Sequence, residues 1–284
     1  MTETAGIRTP AWRGSPLKSL VAKCAYPVFF LLNRPSMAWF GDLLYDAALR
    51  CSGIAITFSG NKGLTRAEEN FLHLNRDHLQ GGVLLDIGAN HGAYATLPAK
   101  IAPTARIFAF EPHPTTFAFL RSRIEGVPSV QAINQAVADT KGKLKLYDFR
   151  SEDGSTQASL SETAVGLYSA DIVEHAVDCT TVDAFMDETG INHIDLLKID
   201  TEGHDLSVLK GARRALSERK IGMIQFEFIP ANIATRVTMR DFFEILKGYR
   251  IGRLCLNGQL RWIDSYDVKR CEIYVTQNLI AVPK

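Results

Sequence analysis

The sequence is short of cysteine, of charge of one sign and of long apolar runs. Its five cysteines, Cys24, Cys51, Cys179, Cys255 and Cys271, are odd in number and scattered, with no C-x-x-C pair. That excludes a disulfide framework or a cysteine zinc module, and reads as reduced, buried thiols in a cytosolic chain. No H-x-x-x-H pair or cage of paired aspartates occurs either, so no metal is expected. The 32 basic and 31 acidic side chains leave a formal net charge of +1, without the overall positive field of a nucleic-acid-binding protein. No apolar run approaches the roughly 20 residues that span a bilayer. Disorder over most of the length is also excluded. Of the 284 residues 46% are hydrophobic and 22% charged, with 15 Phe, 8 Tyr and 3 Trp, enough apolar surface to offset the entropy of ordering. The length fits one large α/β domain carrying a helical annex.

The annex is assigned to residues 1–60. Its apolar stretch, CAYPVFFLLN, is interrupted by Pro27 and followed by RPSMAW, with no small-x-small cleavage site. Around it Arg8, Arg13, Lys18, Lys23, Arg34 and Arg50 face only Glu3, Asp42 and Asp46. A helical element on the main domain is the leading reading. An interfacial element touching anionic lipid and a signal peptide are the alternatives. Residues 1–14 are expected to fray, and ordering over the active-site mouth, homodimerisation and lipid contact are all open to the annex.

From residue 64 helical and strand patterns alternate, as in an α/β fold. Thr65 and Glu68 make a T-x-x-E capping box; Leu64, Ala67, Phe71, Leu74 and His78 share helical spacing, and Gly81-Gly82 end that helix. Strands are expected at VLLDIG (83–88), RIFAFEP (106–112), VQAINQAVA (130–138), IDLLKID (194–200) and IGMIQFEF (221–228). Their unbroken apolar character suits a parallel sheet covered on both sides. KLKLYDF (143–149) alternates and reads as an edge strand or hairpin arm, and 150–170 as a polar loop long enough to be functional. Helices at 182–188, along Leu206, Leu209, Ala212 and Leu216, and at 241–247, with late strands YRIGRLCL (249–256) and CEIYVTQN (271–278), complete a domain over 61–284.

At the end of the first strand lies DIGANHG, Asp86 to Gly92. Such a turn lets the backbone of Gly88, Ala89, Asn90, His91 and Gly92 approach a ligand where a Cβ would collide, and aims helix-start N–H groups at it. Glu111, 23 residues after Gly88 and followed by Pro112, stands at the second strand's end, where an acid can accept both hydroxyl hydrogens of a ribose. Gln135 and Ala136 end the third strand, where an adenine amino group needs an acceptor and a flat backbone. A dinucleotide normally requires G-x-G-x-x-G, and Asn90 breaks that pattern. S-adenosylmethionine has ribose and adenine but no phosphate, and its ammonium and sulfonium favour a carboxylate such as Asp86.

These residues resemble the FkbM-type family of S-adenosylmethionine-dependent methyltransferases. The resemblance rests on DIGANHGAYA, FAFEPHPTTF, NQAVAD and above all IDLLKIDTEGHDLSVLKGA, Ile194 to Ala212. It covers 65–228 well and the C-terminal strands loosely, and leaves 1–60 outside. It implies a Rossmann-like class I methyltransferase fold, a seven-stranded, mostly parallel sheet with its last strand antiparallel. It also implies O-methylation of hydroxyls on sugars or polyketide-like metabolites, cofactor contacts from Asp86 to Gly92 and Glu111, and an Asp200 to His204 region facing the reacting hydroxyl. Two departures stand out: His91 replaces the more usual aliphatic residue, and Pro98 falls where a helix should follow the turn.

Methyl transfer is an in-line displacement that needs alignment, desolvation and, for a hydroxyl acceptor, a place for the proton. Ligands of open α/β sheets lie beyond the carboxyl ends of the strands, where Asp200, Glu202 and His204 follow one another. These are the candidate bases, Glu202 and His204 first, since burial can tune a carboxylate or imidazole toward neutral pKa. Ser155 and Thr156 in the long loop, and Glu227 between Phe226 and Phe228, are the candidate acceptor-facing residues. The expected activity is O-methylation of a small-molecule or glycan hydroxyl, in the cytoplasm or at a membrane surface. N-methylation of an amine, a cofactor-free scaffold and an NAD-dependent enzyme are the alternatives.

Overall fold

The unbroken apolar segments become neighbouring parallel strands, because each can be covered on both faces. The computed structural model describes residues 26–56, 62–152 and 154–284, so the expected fraying of 1–14 lies outside the described residues. The strands are β1 (Val83–Ile87), β2 (Arg106–Phe110), β3 (Val130–Ile133), β4 (Ala136–Val137), β5 (Gly142–Phe149) and β6 (Ile172–Thr180). They continue with β7 (Ile194–Ile199), β8 (Ile221–Phe228), β9 (Tyr249–Leu254), β10 (Leu260–Ile263) and β11 (Gln277–Pro283). The main sheet runs β10-β9-β11-β8-β7-β1-β2-β3. From β3 to β8 every pairing is parallel, and β11 lies antiparallel between β8 and β9. The seven-stranded arrangement with an antiparallel last strand is thus present. An eighth strand, β10, extends it, because Asn257-Gly258 turns the chain back into a hairpin on β9.

A period of two splits each strand between two helical layers. Leu85, Ile87, Phe108 and Phe110 join one buried layer with Phe226, Phe228 and Phe242. Leu84, Ile107 and Ala109 join the opposite one with Phe71, Leu72 and Leu120. Phe226 stacks on Phe242 at 4.7 Å between ring centroids, and burying each such ring contributes about 1.5–3 kcal/mol.

Several local expectations are corrected. The helix Lys62–Leu74 starts before Thr65, so no capping box forms there; the Glu68 carboxylate instead accepts the buried Gln225 amide at 2.7 Å. His78 belongs to a separate short helix, Arg76–Leu79. The segment VQAINQAVA does not stay in one sheet: β3 pairs with β2, while β4 pairs with β6 in a three-stranded sheet ordered β4-β6-β5. β6 went unrecognised because its alternating residues bury only toward β5 and a small cluster around Leu146, Val177 and Cys179. The segment CEIYVTQN is strand only at its end: its Cys271 closes the helix Val268–Cys271, and β11 begins at Gln277. After the glycine turn the helix is just Thr96–Ile101, with Pro98 in its first turn, where a missing N–H costs nothing. Cys179 and Cys271 are buried, but Cys51, at the end of the outlying helix Ala38–Cys51, is exposed.

Candidate functional site

The end of β1 turns beneath the end of β7, and this crossing dictates the glycine. Gly88 has φ +78, and a Cβ there would sit 1.9 Å from the Asp200 carbonyl oxygen, so no side chain fits. The Gly88 and Ala89 N–H groups donate to the Phe110 carbonyl at 3.0 and 2.9 Å. They knit β1 to β2 instead of pointing at a ligand, which corrects the expected role of the Ala89 backbone. The next N–H, of Asn90, donates to Glu111 Oε2 at 2.9 Å, and His113 N–H donates to Oε1 at 2.8 Å. Both oxygens of Glu111 are therefore aimed by backbone. Burial raises its carboxyl to about 7, although those two bonds pull it down. The Asn134 amide locks the bend by donating to the Glu111 and Pro112 carbonyls at 2.8 and 3.0 Å.

A cleft of about 550 Å³, open to solvent, lies over these strand ends. One wall is Gly88, Asn90, Glu111, Pro112, Gln135 and Ala136; the facing wall includes Ser155, Thr156, Ser159, Asp200, Thr201 and Glu202. The structure thus gathers ten of the sequence-derived candidates and leaves six off the wall. Asp86 is 2% exposed, with Oδ1 3.2 Å from the buried Lys198 ammonium; its charge is committed inside the sheet. His91 packs its ring on Phe119 at 5.2 Å, and its backbone N–H donates to Asn90 Oδ1 at 2.7 Å. Gly92 serves packing, since a Cβ would meet Leu120 at 2.7 Å. Ala89 is buried among Tyr94 and Ala95. His204, within the acid turn described next, and Glu227, on β8 beside that turn, do not line the cleft.

That turn, Asp200 to Asp205, is held by a residue the sequence reading missed. Asp205 is buried; its Oδ1 accepts the Thr201 N–H at 3.0 Å and hydroxyl at 2.6 Å, and its Oδ2 accepts the Glu227 N–H at 2.9 Å. The signal was an acid in the first turn of the helix Asp205–Lys210, four residues after a threonine. Burial still lifts Asp205 to about 6. Asp200 is gripped by Lys198 at 3.0 Å. Glu202 takes φ +50 at the tip of the turn, and burial, then the charges of Asp200 and Asp205, raise its carboxyl to about 8. Glu227, bonded by the Asn278 amide at 2.7 Å, is raised well above the usual range by burial and the same neighbouring acids. Burial lowers the His204 imidazole.

The polar loop is tied down at both ends. Asp148, fully buried at the end of β5, accepts the Gly154 and Ser155 N–H groups at 2.7 and 2.9 Å and also the Ser155 hydroxyl. Ser155 lines the cleft, but its hydroxyl is spent on Asp148, which leaves Thr156 as the exposed hydroxyl at the mouth. Ser159 donates its hydroxyl to the Glu202 carbonyl at 3.0 Å, joining loop to acid turn. His113 Nε2 lies 3.7 Å from Asp148, and its Nδ1 accepts the Thr116 N–H at 3.5 Å, capping the helix Pro114–Arg123. The H-P-T-T text after Glu111 is the signal for that cap. Among the described residues no group of three or more His, Cys, Asp or Glu side chains is arranged to hold a metal, and no helix is long and apolar enough to cross a membrane.

Hexuronic acid methyltransferase AglP of Haloferax volcanii is 25% identical over 183 residues, 64% of this chain and 68% of that protein. 2-O-methyltransferase NoeI of Sinorhizobium fredii is 26% identical over 152 residues, 49% of this chain and 60% of that protein. Methyltransferase sdnD of Sordaria araneosa is 28% identical over 153 residues, covering 45% and 59%. The matches to NoeI and sdnD thus span about three fifths of those relatives' lengths. Of solved structures, the precorrin-6y C5,15-methyltransferase of Geobacter metallireducens aligns at TM-score 0.41 and 15% identity over 76% of this chain and 86% of that one. A SAM-dependent O-methyltransferase of Thermotoga maritima aligns at 0.40 and 13% over 80% and 66%. The model for the methyltransferase FkbM domain matches residues 86–251, which takes in the glycine turn, Glu111, the loop wall and the acid turn. With more than half of its sequence matched in this way, the chain belongs to the FkbM methyltransferase family.

Proposed function

We propose that the chain is an S-adenosylmethionine-dependent methyltransferase acting on a hydroxyl of a sugar, glycan or secondary metabolite. One observation carries this reading: a single cleft has a backbone-aimed carboxylate, Glu111, on one wall and a carboxyl raised to about 8, Glu202, on the other. The residues fit an adenosyl group. Glu111 keeps lone pairs for ribose hydroxyls, Gln135 and Ala136 offer an acceptor and a flat surface beside it, and the bare backbone at Gly88 removes any side chain from the floor. When bound, the cofactor supplies an electrophilic methyl on a sulfonium.

The chain's own residues do the rest. Glu202 accepts the proton of the acceptor hydroxyl, which its raised pKa suits, because a base works best near the operating pH. Lys198 holds Asp200 in place, and Ser159 pins the backbone of Glu202. Thr156 meets the acceptor at the mouth. His204, off the wall, is the second choice of base. A sugar-type acceptor is supported by the names of two relatives, a 2-O-methyltransferase and a hexuronic acid methyltransferase. The test is incubation with labelled cofactor and a panel of glycans, sugar nucleotides and polyketides, with mass analysis of the methylated atom. An oxygen-linked methyl is expected. An N-methyl product removes the hydroxyl reading, and no binding of S-adenosylhomocysteine at millimolar concentration removes the cofactor reading.

A further inference from the structure

Among the described residues seventeen large hydrophobic side chains are exposed, and nine of them lie between Tyr26 and Tyr45. That concentration marks an interaction surface rather than scatter. Val28, Phe29, Phe30 and Leu31 follow one another in a helical stretch over 26–32 and are 52–64% exposed. Successive helical residues point about 100° apart, so these four face every direction around the axis. A protein partner laid along a helix covers one stripe; a helix apolar all round asks for an embedding medium. The next helix, Ala38–Cys51, exposes Trp39, Leu43, Leu44 and Tyr45, while Asp42, Asp46 and Arg50 recur every four residues as a polar stripe. Neither stretch is long and apolar enough to cross a bilayer, and the Trp and Tyr rings suit the headgroup level.

Charge selects the medium. Lys18, Lys23 and Arg34 bracket the apolar stretch, and residues 1–50 carry six basic against three acidic side chains. Within 26–51 Arg34 and Arg50 balance Asp42 and Asp46, so the excess of positive charge comes from the basic side chains that precede the apolar stretch along the chain, and anionic headgroups would neutralise that excess. The surface is fixed to the main domain at the sheet end where the cleft opens. Ala55 N–H donates to the Thr276 carbonyl at 2.9 Å, beside the start of β11, and a Cβ on Gly53 would meet Arg253 at 3.1 Å, beside the end of β9.

We infer that residues 26–51 dock the protein in the interface of an anionic lipid surface without spanning it. The test is flotation of the full chain with vesicles of phosphatidylcholine alone and of phosphatidylcholine mixed with phosphatidylglycerol, at low and high salt. Flotation with the mixed vesicles, weakened by salt, is expected. Partitioning should fall on the order of tenfold for each aromatic replaced in the series Phe29→Ser, Phe30→Ser and Trp39→Ser. These side chains are exposed, so S-adenosylhomocysteine titration of the same variants should match the parent and report an intact domain. A chain that stays soluble with both vesicles, or variants that float like the parent, overturns the inference. So does a dimer, seen by sedimentation, that the same replacements dissociate while no vesicle binds. Failed flotation with retained S-adenosylhomocysteine binding removes this docking alone and leaves the proposed activity standing.

Discussion

The two walls of the cleft carry the same chemistry, a glutamate whose burial raises its pKa, on different supports. Glu111 is aimed by two backbone N–H groups from residues no more than 21 positions away. Glu202 sits on a turn held from β8 by Asp205 and from the loop by Ser159, and is crowded by Asp200 and Asp205. A carboxylate fixed by backbone donors is a good binder of neutral hydroxyls. One crowded by like charge is a good acceptor of protons. The difference assigns binding to one wall and proton transfer to the other.

The sharpest way to break that contrast is Glu202→Gln. We expect kcat to fall about 10²–10⁴-fold with S-adenosylhomocysteine affinity nearly unchanged. The parent's kcat/KM should rise with pH through about 8, because only the ionised base takes a proton, and the variant should lack that rise. His204→Ala should leave most of kcat; a loss equal to that of Glu202→Gln would move the base to the imidazole. Gly88→Ala drives a methyl into the Asp200 carbonyl and joins the two walls' fates. It should cost about 2–4 kcal/mol in denaturant unfolding and abolish cofactor binding.

Asp148→Asn weakens the anchor of the loop wall without touching Glu111. A loss of about 1–3 kcal/mol and a raised acceptor KM, with cofactor affinity kept, would show that the walls move independently. On the other wall, S-adenosylhomocysteine affinity should rise with pH up to about 7, by at most about tenfold per unit, as Glu111 ionises. Glu111→Gln should flatten it.

A further effect, which does not separate the two walls, is on ligand-free stability. Glu68, Glu111, Asp205 and Glu202 have pKa values raised to about 7, 7, 6 and 8. Between the ordinary carboxylate range and those values the folded chain holds protons that the unfolded chain has released, so stability should fall as pH rises from about 4.5 to 8. Thermal melts across that window check the sign; a Tm that climbs with pH would contradict it.

Much of the glycine-turn wall was legible in the sequence, because Gly88, Asn90 and Glu111 act through neighbouring backbone whose geometry follows from local residue types. Asp86 misled because a strand residue's face depends on what lies opposite, and here that is Lys198. Ser155 misled because its hydroxyl answers to Asp148, a partner no spacing rule reveals. Asp205, His113 and Ser159 were missed for the same reason: each acts across a distance set by the sheet order.

Apolar periodicity and turn residues were enough to determine the parallel strands, the glycine bend and the acids that follow β2 and β7. Which carboxylate faces the cleft, which is neutralised beneath it, and which hydroxyl stays free were decided only when β1, β7 and the loop from β5 came together. Local sequence sets backbone shape through sterics and hydrogen bonding close along the chain. Burial and charge proximity, which set pKa and availability, belong to residues far apart in sequence and exist only in the folded molecule.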